Sequence, residues 1–269
     1  MIFYYSGCGN SRMAARQLAS SLGERLVFIP DAARQGEYEY TLSEGEMLGF
    51  VWPVYCWAPP RLVLDFVSKL RLDGKPAHCW TVCTCGDTAG HTEKVWRKAL
   101  KLPLDAIYSV IMPETYINLK GMQLDTPEGA ARKVAEAKVR LSEIAVSLKD
   151  HRRESRMIVG SKPWLNTYVV RPLFYAILVK DRYFTVSDAC IGCGRCAEGC
   201  PLKNITMVPA GPASGTDPDG GTDRRRPRWN GNCTTCEACY HNCPVNAIQF
   251  GKATLGKGQY HGPDSVQGC

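Results

Sequence analysis

Two stretches in the last third of the chain, "CIGCGRCAEGCP" (Cys190 to Pro201) and "CTTCEACYHNCP" (Cys233 to Pro244), repeat one spacing, C-x2-C-x2-C-x3-C-P. Three thiols two residues apart can wrap one corner of a compact inorganic core, and the proline after the fourth cysteine turns the chain away from it. The 269 residues hold 14 cysteines. Eight lie in these runs, Cys8, Cys56, Cys79, Cys83 and Cys85 are scattered through the first third, and Cys269 comes last. A disulfide framework belongs to secreted proteins. The start, Met1-Ile2-Phe3-Tyr4-Tyr5, has neither a basic region nor a small-residue cleavage site. The expectation is therefore a cytoplasmic protein whose clustered cysteines bind metal. Tetrahedral zinc also uses C-x2-C pairs, but two pairs suffice for it, which leaves the third cysteine and the C-P of each run unexplained.

The repeated run is similar to that of bacterial-type ferredoxins with two [4Fe-4S] clusters, in which the fourth cysteine of each run ligates the other cluster. The resemblance implies one cluster on Cys190, Cys193, Cys196 and Cys243, and a second on Cys233, Cys236, Cys239 and Cys200. It also implies a small α+β domain in which the tails after the runs, "LKNITMV" and "VNAIQF", pair together as short strands. The C-x3-C-x2-C spacing of radical enzymes is absent. Between the runs, Pro209 to Trp229 is dense in Gly, Pro and Asp and reads as an inserted surface loop without structure of its own. Its Arg224, Arg225, Arg226 and Arg228 read as solvated charge, with docking of an acidic redox partner as the sharper alternative.

The part before residue 155 follows a different rhythm. Apolar runs at Met1 to Tyr5, Leu26 to Pro30, Met47 to Pro53, Cys79 to Thr84 and Ala106 to Met112 alternate with helix-like segments. Met13, Leu18 and Leu22 mark a helix from about Ser11 that Gly23 can close. Thr126-Pro127-Glu128 is an N-cap signal, and Ala130, Val134, Ala137, Leu141, Ile144 and Leu148 give the following helix an apolar face. Five strands alternating with helices imply a doubly wound α/β domain with a parallel sheet, covered on both faces, whose ligands gather at the carboxyl ends of the strands. A hydrophobic content of 45% supplies the core.

The loop after the first strand, "SGCGNS" (Ser6 to Ser11), leads into a helix, so its amides and the helix dipole can converge on an anion. Other readings fail on spacing. A dinucleotide G-x-G-x-x-G would need glycine at Arg12, and a phosphatase C-x5-R loop would need arginine at Ala14. Cys8 has no paired cysteine nearby in sequence, so it has no metal motif.

With two further loops the N-terminal part resembles a flavodoxin. "SGCGNS" is similar to that family's phosphate loop, although a hydroxyl residue is commoner at the place of Cys8 and threonine at that of Ser11. "WPVYCWAPP" (Trp52 to Pro60) lies where a flavodoxin covers the isoalloxazine ring, and "TCGDTAG" (Thr84 to Gly90) where the chain follows its pyrimidine edge. The resemblance implies FMN held by Ser6, Gly7, Cys8, Gly9, Asn10 and Ser11 at the phosphate. At the ring it implies Pro53, Val54, Tyr55, Cys56 and Trp57, with Thr84, Cys85, Gly86, Asp87 and Gly90 along its edge. Tyr55 and Trp57 could stack on the ring and exclude water. Over nearly its whole length the chain resembles the flavodoxin–ferredoxin fusion proteins of anaerobic bacteria and archaea. "MPETYI" (Met112 to Ile117) and "GKGQYHGP" (Gly256 to Pro263) share in this, with Thr115 and Gln259 departing from the asparagine and arginine expected there. Gly251-x4-Gly256-Lys257 nearly matches a nucleotide P-loop, but Gly258 stands where Ser or Thr should bind magnesium.

The expected organisation is a flavodoxin-like FMN domain over 1–155, an apolar connector over 156–181, a ferredoxin domain over 182–250 and a tail over 251–269. The connector, rich in Trp164, Leu165, Phe174, Tyr175, Ile177 and Leu178, is expected to pack across the interface rather than lie on a membrane surface. Its most apolar part, Tyr168 to Val179, is too short to cross a membrane and contains Arg171 and Pro172. Eight thiolates, two oxidised cluster cores and the FMN phosphate bring the formal net charge of +7 to about +1, which removes the main support for nucleic-acid binding. The expected function is electron transfer between the clusters and FMN, serving donor and acceptor proteins. The alternative is an FMN-dependent oxidoreductase acting on a small molecule, for which His91 and Tyr55 are the candidate acids. Cys79 and Cys83 fit a buried strand, and no metal-ligand spacing involves Cys56, Cys85 or Cys269.

Overall fold

In each central strand, successive side chains go to opposite faces, so one apolar strand can feed two cores. Phe3, Phe50 and Trp52 enter one buried cluster, while Ile2 and Val51, their neighbours along the chain, enter the other. The computed structural model describes residues 1–210 and 225–263. Arg224, the rest of the expected loop from 211, and Cys269 lie outside them.

In chain order the first part runs β1 (Ile2–Tyr4), α1 (Asn10–Leu22), β2 (Leu26–Phe28), α2 (Ile29–Gln35), β3 (Glu39–Thr41), β4 (Leu48–Pro53), α3 (Arg61–Lys69) and β5 (Arg71–Asp73). It continues through β6 (Cys79–Cys85), α4 (Thr92–Ala99), β7 (Ala106–Ile111), α5 (Pro127–Lys149) and β8 (Glu154–Arg156). The main sheet has the order β2-β1-β4-β6-β7-β8, with every neighbouring pair parallel. β3 and β5 form a separate parallel pair. Helices α1 and α5 pack on one face, and α3 and α4 on the other.

The sheet thus has six strands rather than the five expected. The sixth, β8, reads Glu-Ser-Arg and carries no apolar signal. It is delivered to the edge by the return of α5 and pairs Ala106 with Glu154. A boundary at 155 would fall inside this strand. The helix signals meet their structure: Gly23 ends α1 in the left-handed conformation, and Thr126 Oγ1 caps α5 by accepting from the Gly129 N–H at 3.1 Å.

After β8 come α6 (Pro163–Leu165), a π turn (Asn166–Val170) and α7 (Arg171–Ile177), in one continuous helical run. Thr167 and Tyr175 are buried, whereas Trp164, Leu165, Tyr168, Val169, Val170, Leu173 and Ile177 are exposed. One side of the connector packs on the sheet part, through Thr167 to Trp57 and His91 and through Phe174 to Tyr116, and the other is exposed. Among the described residues no helix is long and apolar enough to cross a membrane.

The last part contains β9 (Phe184–Val186), α8 (Arg195–Glu198), β10 (Ile205–Pro209), β11 (Arg225–Trp229), α9 (Ala238–His241) and β12 (Ile248–Phe250). The two tails do not pair with one another. β12 pairs with β9 and β10 with β11, both antiparallel. The reason lies in the aromatic residues: Phe184 of β9 stacks on Trp229 of β11 with ring centres 5.2 Å apart and meets Phe250 of β12 edge-on at 5.1 Å. The carboxyl end of the supposed loop, with Arg225, Arg226 and Arg228, is therefore strand, and Arg226 pairs with Asp188 at 2.6 Å.

Candidate cofactor sites

Each cysteine run bends back on itself through one four-residue helix, α8 or α9, entered from a residue in the left-handed conformation, Gly194 or Glu237. The bend gathers thiols that are distant in sequence. Cys190, Cys193, Cys196 and Cys243 line one small cavity, walled by Met207, Pro227, Pro244 and Ile248. Cys200, Cys233, Cys236 and Cys239 line a second, walled by Phe184, Pro201, Ile205 and Trp229. Amide hydrogens point at the sulfurs: Asn204 N–H to Cys200 at 3.3 Å, Thr235 N–H to Cys233 at 3.2 Å and Ala247 N–H to Cys243 at 3.2 Å. Such donors favour thiolate and tune a cluster bound to it. Among the described residues no three His, Cys, Asp or Glu side chains are set to hold a single metal ion. The eight thiols instead surround two volumes, as cores of several irons require. Cys193 is exposed, so the first cavity is the outer one.

A third cavity, of about 350 Å³, opens at the carboxyl ends of β1, β4 and β6. The strand order reverses between β1 and β4, which is where ligands bind in open α/β sheets. Of the expected FMN residues, Ser6, Gly7, Cys8, Asn10, Ser11, Pro53, Val54, Tyr55, Cys56, Trp57, Thr84, Cys85, Gly86 and Asp87 line it. Gly9 and Gly90 do not. Gly9 is the left-handed N-cap of α1, which has no side-chain cap and so leaves its first-turn amides open to an anion. Gly90 lies behind Trp57, where a Cβ would stand 2.6 Å from the Trp57 Cβ. Cys56 and Trp57 are both left-handed, with φ of 50° and 58°; strain of this kind in non-glycine residues gathers at ligand sites.

Several polar side chains have partners other than those expected. Asn10 donates to the Pro113 carbonyl at 3.1 Å and accepts from the Tyr260 hydroxyl at 2.7 Å, so both ends of its amide are taken by protein. The Ser11 and Thr84 hydroxyls bond each other at 2.8 Å, and Ser6 Oγ accepts from the Gly9 N–H at 3.2 Å. Trp57 Nε1 donates to Thr88 at 3.3 Å, and the Tyr55 hydroxyl to Tyr5 at 3.4 Å. His91 is the N-cap residue of α4 and does not line the cavity.

The remaining walls were invisible as such in the sequence. Met112 to Tyr116 form one side, Val170, Phe174, Tyr175 and Val179 form a roof, and Thr234 to Glu237 close the cavity against the second cysteine run. The contact there is direct: the Cys8 thiol donates to the Cys236 carbonyl at 3.0 Å, and a Cβ on Gly7 would come within 2.8 Å of the Cys236 Cβ. Burial pushes the Cys8 thiol well above its ordinary range, which keeps it protonated as this donor. The Tyr116 hydroxyl is buried on the cavity wall and has no hydrogen-bond partner among the described residues. Glu237, 1% exposed, lines both this cavity and the second cysteine cavity. Its Oε1 accepts from Asn118 at 2.5 Å, its Oε2 has no partner among the described residues, and burial pushes its carboxyl up to about 8. Only its place between two ligand cysteines hinted at a role.

Residues 189–248 match the family model described as a 4Fe-4S dicluster domain. An uncharacterized polyferredoxin-like protein of Methanocaldococcus jannaschii is 34% identical over 97 residues, covering 35% of this chain and 54% of that one. The matched segment thus spans about half the length of this curated relative. Among solved structures, the Trp repressor binding protein from Bacillus subtilis matches at 10% identity and a TM-score of 0.33, over 53% of this chain and 96% of that one. The chain therefore joins a six-stranded parallel α/β part to a ferredoxin-like 4Fe-4S dicluster region, a match that supports iron–sulfur electron transfer.

Proposed function

We propose that the protein passes electrons between its two [4Fe-4S] clusters and an FMN bound in the cavity at the ends of β1, β4 and β6. In this reading it is a fusion of a flavodoxin-like domain (1–155), a connector (156–181), a ferredoxin domain (182–250) and a tail (251–269). It works in anaerobic cytoplasm between donor and acceptor proteins. The observation that carries it is the shared wall: the glycine-rich loop after β1 and the backbone of the second cysteine run touch through Cys8 and Cys236.

The residues present fit the flavin. The volume lies in the range of small-molecule sites, the uncapped end of α1 suits a phosphate, and the unpartnered Tyr116 hydroxyl offers a hydrogen bond. Amides of Ser6 to Ser11 would hold the phosphate, Tyr55 and Trp57 would wall the ring, and Thr84 to Asp87 would follow its edge. When bound, the flavin exchanges one or two electrons, whereas each cluster cycles by one. The chain supplies the rest. Val170, Phe174 and Tyr175 exclude water from above, and the Cys200, Cys233, Cys236, Cys239 cavity stands next to the flavin cavity, with the Cys190, Cys193, Cys196, Cys243 cavity beyond it. The exposed Cys193 would put this cluster where a donor or acceptor protein can reach it.

The carrier reading is preferred to an oxidoreductase because, of the two candidate acids, His91 lies off the cavity and the Tyr55 hydroxyl is engaged with Tyr5. Anaerobic mixing with reduced ferredoxin, NADH or NADPH tests it. Bleaching of flavin absorbance by reduced ferredoxin, and slower bleaching in Cys236→Ser with flavin retained, is the expected result. Bound iron without flavin would overturn the reading.

A further inference from the structure

From Met157 to Lys180 the chain contains no Asp or Glu. Over the same span it turns several large apolar side chains to solvent: Trp164 is 61% exposed, Leu173 57% and Ile177 56%, and Ile158 and Val159 are exposed as well. These residues do not line the cavity, which the other side of the helix roofs through Val170, Phe174 and Tyr175. A continuous exposed apolar strip on a folded protein marks an interaction surface. Its charge narrows the partner. Lys162 and Lys180 stand exposed at the two ends of the helical run, and neither is in an ion pair among the described residues. Arg171 lies inward, its guanidinium over the Tyr175 ring. Asp181, the first acid beyond, is turned away to bind the Asn204 side chain and the N–H groups of Gly231 and Cys233.

We propose that this face docks in the plane of an anionic lipid surface. The 15 residues of Pro163 to Ile177 extend about 22 Å as a helix, enough to lie in the headgroup boundary and too short to cross the hydrocarbon. Trp164 and Tyr168 suit that boundary, and the terminal lysines reach anionic headgroups. A second copy is a poorer occupant, because a two-fold contact through this face would bring Lys162 and Lys180 of the two copies together, and the segment Met157 to Lys180 supplies no carboxylate to separate them. The inference does not depend on what fills the cavity.

Flotation of the anaerobically purified full chain tests it, with vesicles of phosphatidylcholine containing phosphatidylglycerol and with phosphatidylcholine alone. The wild type floats with the anionic vesicles and leaves them as salt is raised. Trp164→Ser, Leu173→Ser and Ile177→Ser together lower the bound fraction at least about tenfold, with iron–sulfur absorbance unchanged. Lys162→Glu with Lys180→Glu, which leaves the apolar strip intact, abolishes the preference for anionic over neutral vesicles. Absence of wild-type flotation, or equal flotation of the triple serine variant, overturns the proposal. So does a lipid-free dimer in sedimentation that the serine variant dissolves, since the face would then meet a second copy.

Discussion

Cys8 shows how far single residues could be read. Its place in a glycine-rich loop points to an anion site, yet its thiol bonds a carbonyl 228 residues further along the chain, and no local pattern encodes such a contact. Gly7 makes the same approach without a side chain. Gly7→Ala should cost about 1–3 kcal/mol, because the new methyl meets the Cys236 Cβ and carbonyl. Gly23→Ala, with open space around it but a left-handed backbone, should cost about 1 kcal/mol; thermal unfolding of the two variants gives the comparison. Asn118 is the only partner of the buried Glu237 carboxyl among the described residues. Asn118→Ala should therefore lose about 1–3 kcal/mol in urea unfolding. His78, buried beneath the sheet, has its pKa lowered from the ordinary 6.5 by burial, with Asp105 opposing. The unfolded chain then binds the proton more readily, so stability is whole above about pH 6.5 and falls as the pH drops below it. His78→Gln should make that acid limb shallower in urea midpoints taken from about pH 7 to about pH 5, with buried His241, held down to about 4, keeping part of the slope.

At the scale of elements, strands buried on both faces declared themselves through apolar runs, and caps declared the ends of α1 and α5. The misses have a common cause. β8 is polar and owes its place to α5, and β9, β11 and β12 are drawn together by Phe184 stacking on Trp229 and meeting Phe250 edge-on, contacts that no single strand's pattern announces. Both are tertiary effects. The tail is another. Lys257 Nζ donates to the Ile117 carbonyl at 2.6 Å and the Leu119 carbonyl at 2.8 Å, Gln259 donates to the Tyr240 and Cys243 carbonyls, and the Tyr260 hydroxyl reaches Asn10. This segment fastens the iron–sulfur part to the sheet part. Lys257→Met should lower stability by about 1–2 kcal/mol, and a loss in thermal midpoint without loss of iron would place the effect in the fastening rather than in the clusters.

Across the whole molecule, two repeated cysteine runs and three loops at strand ends were legible, but their meeting was not. The structure adds the order of the sites: an exposed cysteine cavity, a second cavity beside Glu237, then a large apolar cavity under the connector helix. Under the proposed function that order would hold a one-electron carrier and a two-electron cofactor at one separation. In the proposed reading this last cavity is a flavin site. Anaerobically purified protein should then carry about eight irons and about one FMN per chain, and eight irons with no flavin would overturn that reading.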